Sequence, residues 1–240
     1  MVDDADGRPP ARWCHATTHL DAFALVTWDV DPEVLAGLLP PRFTPATREV
    51  DGNGRRAFVS VVPFLDRSFH FRGIPWPRLS CGQVNHRAYV VDRDGAEGVW
   101  FFGTSLDSRL VAIPRGLWRM PWHRERVSAS LDESAYRADV AGAFGGLELR
   151  LRRAGEPLVM PPEFVDPFVG WYPRTRGAPV GRYSVWHTPL ELERCDVDVA
   201  RVDLLERTGL VLPGVPPRWA GVLPTTTFDV HTPPTTSPGP

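Results

Sequence analysis

Residues 83–91 read Gln83-Val84-Asn85-His86-Arg87-Ala88-Tyr89-Val90-Val91, and their period decides the fold. A period of two places Gln83, Asn85, Arg87 and Tyr89 on one face of a strand, and Val84, His86, Ala88 and Val90 on the other. A polar row opposite an apolar one is either an ordinary solvent face or, inside a barrel, a row facing a ligand. Upstream, Ala57 to Leu65 (AFVSVVPFL) is a second strand, whose Pro63 points to an edge or a bulge. Downstream, Gly98 to Thr104 (GVWFFGT) reads as a buried strand. Ser105 and Asp107 are then candidate caps for a helix running to about Trp118 and interrupted at Pro114.

Working outward, His15 to Val30 reads as strand, and Asp31-Pro32-Glu33 caps a short helix that Pro40-Pro41 stops. Val127–Leu131, Tyr136–Val140 and Leu147–Arg153 alternate, with Gly142–Gly146 as a hairpin turn. Further strands fall near Gly181–His187 and Gly221–Val230, and a helix near Val199–Thr208. About ten short strands and two or three short helices predict a mainly β (α+β) chain, an antiparallel β-barrel or cone with helices packed on it.

Composition agrees. The 26 Pro and 21 Gly are too many for long helices. The 240 residues, 42% hydrophobic, are enough for one full core. One domain is expected over residues 11–230, between a polar stretch at 1–10 and a Pro/Thr-rich tail at 231–240, both read as disordered. All 27 basic side chains are Arg. With no lysine, no side chain can form an imine with a carbonyl substrate or with pyridoxal phosphate, and no P-loop can place its Lys on phosphates. A net charge of −2 argues against nucleic acid as a partner. No apolar run approaches the roughly 20 residues of a membrane span, so no membrane partner is expected. Three scattered cysteines suit a reducing, cytoplasmic setting. No cofactor is expected and no metal. Cys14-His15 with His19 could hold a metal on a helix, but His15–Val30 reads as strand, where positions 15 and 19 stand roughly 13 Å apart.

The densest chemistry lies in Ser105–Arg126. One reading makes Arg109 or Arg115 a clamp for a substrate carboxylate and Asp107 or His123 the general acid–base. The plainer reading makes Asp107 a helix cap paired with an arginine. Nine tryptophans, with clusters at Trp100–Phe102, Trp118–Trp122 and Tyr183–Trp186, suit aromatic walls around an apolar ligand or, equally, core packing.

Several ordered stretches carry a resemblance. Asp31-Pro32-Glu33-Val34-Leu35 through Leu38-Leu39-Pro40-Pro41, Phe58–Phe64, Gln83–Val90, Gly98–Phe102 with Asp107-Ser108-Arg109-Leu110, Met120–His123 and Trp186-His187-Thr188-Pro189 resemble motifs of the YqjF-like family of uncharacterised conserved proteins. That family belongs with the acetoacetate-decarboxylase-like superfamily, and the resemblance spans about residues 12–230. It implies a cone-shaped β-barrel with an internal pocket toward which Asn85, Arg87, Asp107, Arg109 and Trp122 point. Departures accompany it. The superfamily's decarboxylases carry their Schiff-base Lys after a Pro, where this chain has Pro121-Trp122. Gln83 and Ser105 replace acidic residues, and Phe164–Val169 lacks the family's Glu, Arg and Tyr.

The expected function is a non-Schiff-base enzyme of decarboxylation, dehydration or cyclisation type acting on a small carbonyl or polyketide-like metabolite. Its catalytic candidates are Asp107, Arg109, His123 and Arg87. Its ligand-binding candidates are Gln83, Asn85, Trp100, Phe102, Trp118, Trp122 and Trp186. The alternative is a non-catalytic protein that binds or sequesters an apolar aromatic ligand. In either case the partner is a small molecule, and a homo-oligomer is compatible with the sequence.

Overall fold

Strand β1 (Ala16–Val30) is bonded on one side to β4 (Gly54–Phe71) and on the other to β14 (Trp219–Ser237). That double pairing closes a barrel of seven strands. From β4 the order continues through β5 (Ile74–Asp92), β6 (Glu97–Leu106), β11 (Val169–Tyr172) and β12 (Val180–Trp186) back to β14. The computed structural model describes residues 10, 12–109, 115–116, 118–174 and 180–237. Short strands β2 (Phe43–Pro45), β3 (Thr47–Val50) and β7 (Trp122–Arg124) flank β5, β4 and β6. No helix among the described residues is long and apolar enough to cross a membrane.

The barrel's far strand, β14, also pairs with β13 (Glu193–Val202). From there β10 (Leu147–Pro157), β9 (Ala135–Ala141) and β8 (Arg126–Leu131) form an outer sheet. This sheet curls back over the barrel wall, and the main core lies between the two layers. Val59, Val61, Val84, Ala88 and Val90 project outward into that core, where they meet Tyr136, Leu147, Leu149 and Leu151. The inward residues of the same strands, Val62, Phe64 and Asp66 on β4 and Cys81, Gln83, Asn85 and Arg87 on β5, line a cavity instead. Strands buried on both faces read as nearly continuous apolar runs, which accounts for AFVSVVPFL.

Several expectations are corrected in detail. β6 and β11 pair in parallel, because the chain leaves the barrel after β6, builds the outer sheet and re-enters on the same side, the long crossover a parallel pair needs. Pro63 lies in a central strand, not at an edge. The β1–β4 ladder breaks between the Asp21–Leu65 and Val26–Val61 pairs, so the proline's missing donor falls where β1 bulges away. Helix α1 (Pro32–Ala36) is capped by Asp31, whose Oδ1 accepts from Glu33 N at 2.8 Å, but it ends at Gly37, ahead of the two prolines. A second helix, α2 (Pro162–Val165), was not read from the sequence. Residues 199–202 belong to β13, and only Asp203–Arg207 forms helix α3. Ser105 caps nothing; it lies in β6 and donates to Glu125 at 2.5 Å. Residues 231–237, read from composition as tail, extend β14, because β12 offers it a partner as far as Val180–Ser237. The expectations for residues 1–9, 110–114 and 238–240 fall outside the described residues.

Leu149, fully buried between the layers, carries a stability prediction. Leu149→Ala should cost about 2–5 kcal/mol in urea unfolding, whereas Glu148→Ala on the solvent side of the same strand should change stability by less than about 1 kcal/mol.

Candidate functional site

The barrel interior encloses a cavity of about 270 Å³. Its walls are mostly apolar, among them Phe23, Phe64, Phe101, Val165 and Phe228, and Trp118, Met120 and Trp122 enter from the segment after β6. Half-exposed Phe71, Leu79 and Pro234 line one end, where β4, β5 and β14 run past the barrel.

At the other end stands Arg87, 9% exposed. Its Nε donates to Ser60 Oγ at 2.9 Å and one Nη to the Tyr89 hydroxyl at 3.3 Å. Tyr89 in turn donates to the Phe164 carbonyl at 2.7 Å, which fixes the floor of the barrel on α2. No carboxylate lies within ion-pair distance of Arg87 among the described residues, so its charge is held in place by neutral groups. Tyr183, also in the cavity wall, has its hydroxyl pKa pushed up by burial, with Arg87 opposing the shift. Above Arg87, Asn85 Oδ1 accepts from Gln83 at 3.0 Å and from Thr104 at 2.9 Å.

His187 lines the same cavity. Its Nδ1 lies 2.8 Å from the Thr188 carbonyl oxygen and 3.6 Å from Asp166 Oδ1. A carbonyl only accepts, so Nδ1 carries the proton and Nε2 keeps its lone pair. The ring stacks on Phe228 with centroids 4.2 Å apart. Asp166 is itself held by Leu190 N–H at 3.1 Å. Burial lowers the His187 pKa and Arg87 lowers it further, against the opposing pull of Thr188 and Asp166. Burial also raises the Asp166 pKa. The result is a neutral imidazole, oriented through Nδ1, in the wall of an apolar cavity.

Of the sequence candidates, Arg87, Gln83, Asn85, Trp118 and Trp122 line the cavity. Trp100 and Phe102 do not, because on β6 the inward positions are Val99 and Phe101 and the alternate residues face the outer core. Trp186 is half-buried beside the cavity without lining it. Asp107 and Arg109 are exposed past the end of β6. His123 lies on the outer side, stacked on Phe144 with centroids 3.6 Å apart. Sequence reasoning missed His187 and Asp66 as cavity groups, and Asp166 as the carboxylate beside His187, although Trp186-His187-Thr188-Pro189 stands out as a motif. Tyr183 belongs to an aromatic cluster already read as a candidate wall.

A second polar cluster sits behind β5 on the outer side. Glu125 accepts from Ser105 Oγ at 2.5 Å and from the Phe144 and Gly145 N–H groups at 2.7 and 3.1 Å. His86 lies against it, fully buried, with neither ring nitrogen hydrogen-bonded among the described residues. A Cβ on Gly145 would come within 2.6 Å of His86 Nε2, so this turn needs glycine to let the ring in. Burial drives the His86 pKa down to about 3, helped by His123 and Arg207.

A match to DUF2071, described as "Uncharacterized conserved protein (COG2071)", extends over residues 17–223. The chain belongs to this family. This DUF2071 protein has no match among curated proteins. Its fold is that of acetoacetate-decarboxylase-like structures. Acetoacetate decarboxylase from Legionella pneumophila aligns at TM-score 0.63 and 12% identity, over 99% of this chain and 98% of its own. The enduracididine biosynthesis enzyme MppR, complexed with pyruvate, aligns at TM-score 0.67 and 13% identity over 95% and 91%. An acetoacetate decarboxylase-like enzyme from Sphingomonas wittichii RW1 aligns at TM-score 0.56 and 10% identity over 92% and 91%. At such identities the shared property is the fold.

The His86 geometry gives a pH prediction for this DUF2071 protein. Unfolded, His86 takes up a proton near its ordinary pKa of 6.5, but folded only near about 3. Between those values the unfolded state binds more protons, so falling pH destabilises the fold. Measured by urea unfolding at several pH values, the stability of wild type relative to His86→Leu should decline from pH 6.5 toward pH 3.

Proposed function

We propose that this protein moves a proton on a small carbonyl compound held in the barrel cavity, with Arg87 as oxyanion anchor and His187 as general base. The observation that carries this reading is the His187 ring. Its Nδ1 is committed to Thr188 and Asp166, it forms part of the cavity wall, and it is close enough to Arg87 to feel its charge.

The step balances without covalent attachment. His187 Nε2 takes a proton from the carbon next to the carbonyl, the C–H pair becomes a carbon–carbon double bond, and the carbonyl π pair moves onto the oxygen. Arg87 stabilises the resulting enolate by a charge-assisted hydrogen bond in a largely apolar surround, where such bonds are strongest. Asp166 is a positioning residue that fixes the tautomer and steadies the imidazolium. Decarboxylation, dehydration and cyclisation of a carbonyl metabolite all pass through such an enolate. With no lysine in the chain, and Trp122 in the cavity wall after Pro121, none of these needs a side-chain imine.

MppR has been solved with pyruvate and with the condensation product of pyruvate and imidazole 4-carboxaldehyde, which makes 2-oxo acids the first probes. Exchange of the C3 protons of pyruvate and of 2-oxooctanoate in D2O, followed by proton NMR, should be accelerated by wild type. His187→Gln should slow it at least about 100-fold. The rate should fall as pH drops, with a midpoint below 6.5, because the protonated imidazole is no base. Exchange by His187→Gln at the wild-type rate, or no acceleration by wild type on either acid, would overturn the assignment. Trp118 and Trp122 in the wall support the alternative of ligand binding without turnover. That reading predicts quenching of tryptophan fluorescence with the compound recovered unchanged.

A further inference from the structure

A second charged group faces the same cavity, and the proton-transfer scheme does not use it. Asp66 lies on β4 and is 9% exposed. Thr18, from β1, is also in the cavity wall and donates its hydroxyl to Asp66 Oδ1. No cationic side chain among the described residues pairs with this carboxylate. Opposite it stand Leu20 on β1 and Cys81 on β5. That thiol cannot supply a charge, since burial, Asp66 and Asp107 push its pKa up to about 12. Burial pushes the Asp66 carboxyl up to about 6, so it is still ionised at neutral pH. A buried carboxylate with one hydroxyl for company is costly, and proteins keep such groups where something else completes them.

Position says what completes it. Arg87 is held at the level of Ser60, and Asp66 stands six positions further along the same strand toward Phe71 and the outer end of the cavity. At about 3.3 Å per residue this is roughly 20 Å of strand, too far for the two charges to satisfy one another. Between them the wall is apolar or neutral: Val62, Phe64, Gln83 and Asn85. The cavity therefore has a cationic inner end, an anionic outer end and an uncharged middle.

We infer that the ligand is two-ended: an oxyanion or carboxylate at Arg87, an apolar body, and a protonated amine that pairs with Asp66 and Thr18. This deepens the proposed function, resting on the same cavity as the ligand site but not on His187 catalysis. Asp66 is then the specificity residue that selects amine-bearing compounds from their plain acid analogues.

Fluorescence of Trp118 and Trp122 offers a direct titration at pH 7.5 with 12-aminododecanoate, dodecanoate and dodecylamine as probes. The wild type should bind 12-aminododecanoate at least tenfold more tightly than dodecanoate. Asp66→Asn, nearly isosteric, should abolish that preference while leaving dodecanoate binding unchanged, and Arg87→Met should weaken both acids while sparing dodecylamine. Equal affinity of wild type for the amino acid and the plain acid would overturn the inference, as would an undiminished preference in Asp66→Asn. Urea unfolding separates a folding role from a ligand role: Asp66→Asn should be at least as stable as wild type, since it removes an unpaired buried charge, and a marked loss of stability would also count against the inference. Failure here leaves C–H exchange by His187 untouched, and failure of that exchange leaves this binding test intact.

Discussion

The pairing of β1 with β14 is the constraint on which the rest of the molecule depends. Eleven residue pairs, from Ala16–Val230 to Thr27–Trp219, join segments near opposite ends of the chain. Without them the seven inner strands would be an open sheet with two long edges, and there would be no interior. Closure removes those edges and gives the inward face of every strand a shared space. It also assembles the site. Thr18 on β1 stands opposite Phe228 on β14, Phe228 stacks on His187, and Thr18 bonds Asp66 on β4.

The outer sheet has a different task. It covers the outward faces of β4, β5 and β6 with Tyr136, Leu147, Leu149 and Leu151, so the dense packing lies outside the barrel wall. Folding energy is supplied largely there, by burial of aliphatic and aromatic side chains. The inner face is thereby free to keep Arg87, His187, Asp66 and a void, features that a fully packed core could not tolerate. Stability and chemistry are thus assigned to opposite faces of the same strands.

Much of this was legible from residues 83–91. The alternation of Gln83, Asn85 and Arg87 with Val84, Ala88 and Val90 gave both the strand and its two faces, and all three polar residues line the cavity. His86 was placed on the apolar face by the same alternation, where its ring is buried with neither nitrogen hydrogen-bonded among the described residues. Less legible was the segment after β6, whose density of charges drew attention to Asp107, Arg109 and His123. The first two are exposed, and His123 packs on Phe144 outside the barrel. Local density of reactive side chains is a poor guide here. Asp107 and Arg109 lie past the end of β6 at Leu106, where no pleat fixes their direction, and His123 lies on β7, where alternation turns Trp122 to the cavity and His123 away from it.

By itself, the sequence determined the periodicities, the capped helix at Asp31, the family resemblance and the absence of any lysine amine. These are local or compositional properties, and no tertiary arrangement can change them. Only the tertiary structure decided which side of each strand became the interior, because that depends on where the chain ends meet and where the outer sheet lies. His187, Asp166, Arg87 and Asp66 come from four separate segments, and no spacing between them in the chain encodes their meeting. His187, Arg87 and Asp66 share a cavity, with Asp166 beside His187, because β1 closes on β14, and that pairing exists only in the folded barrel.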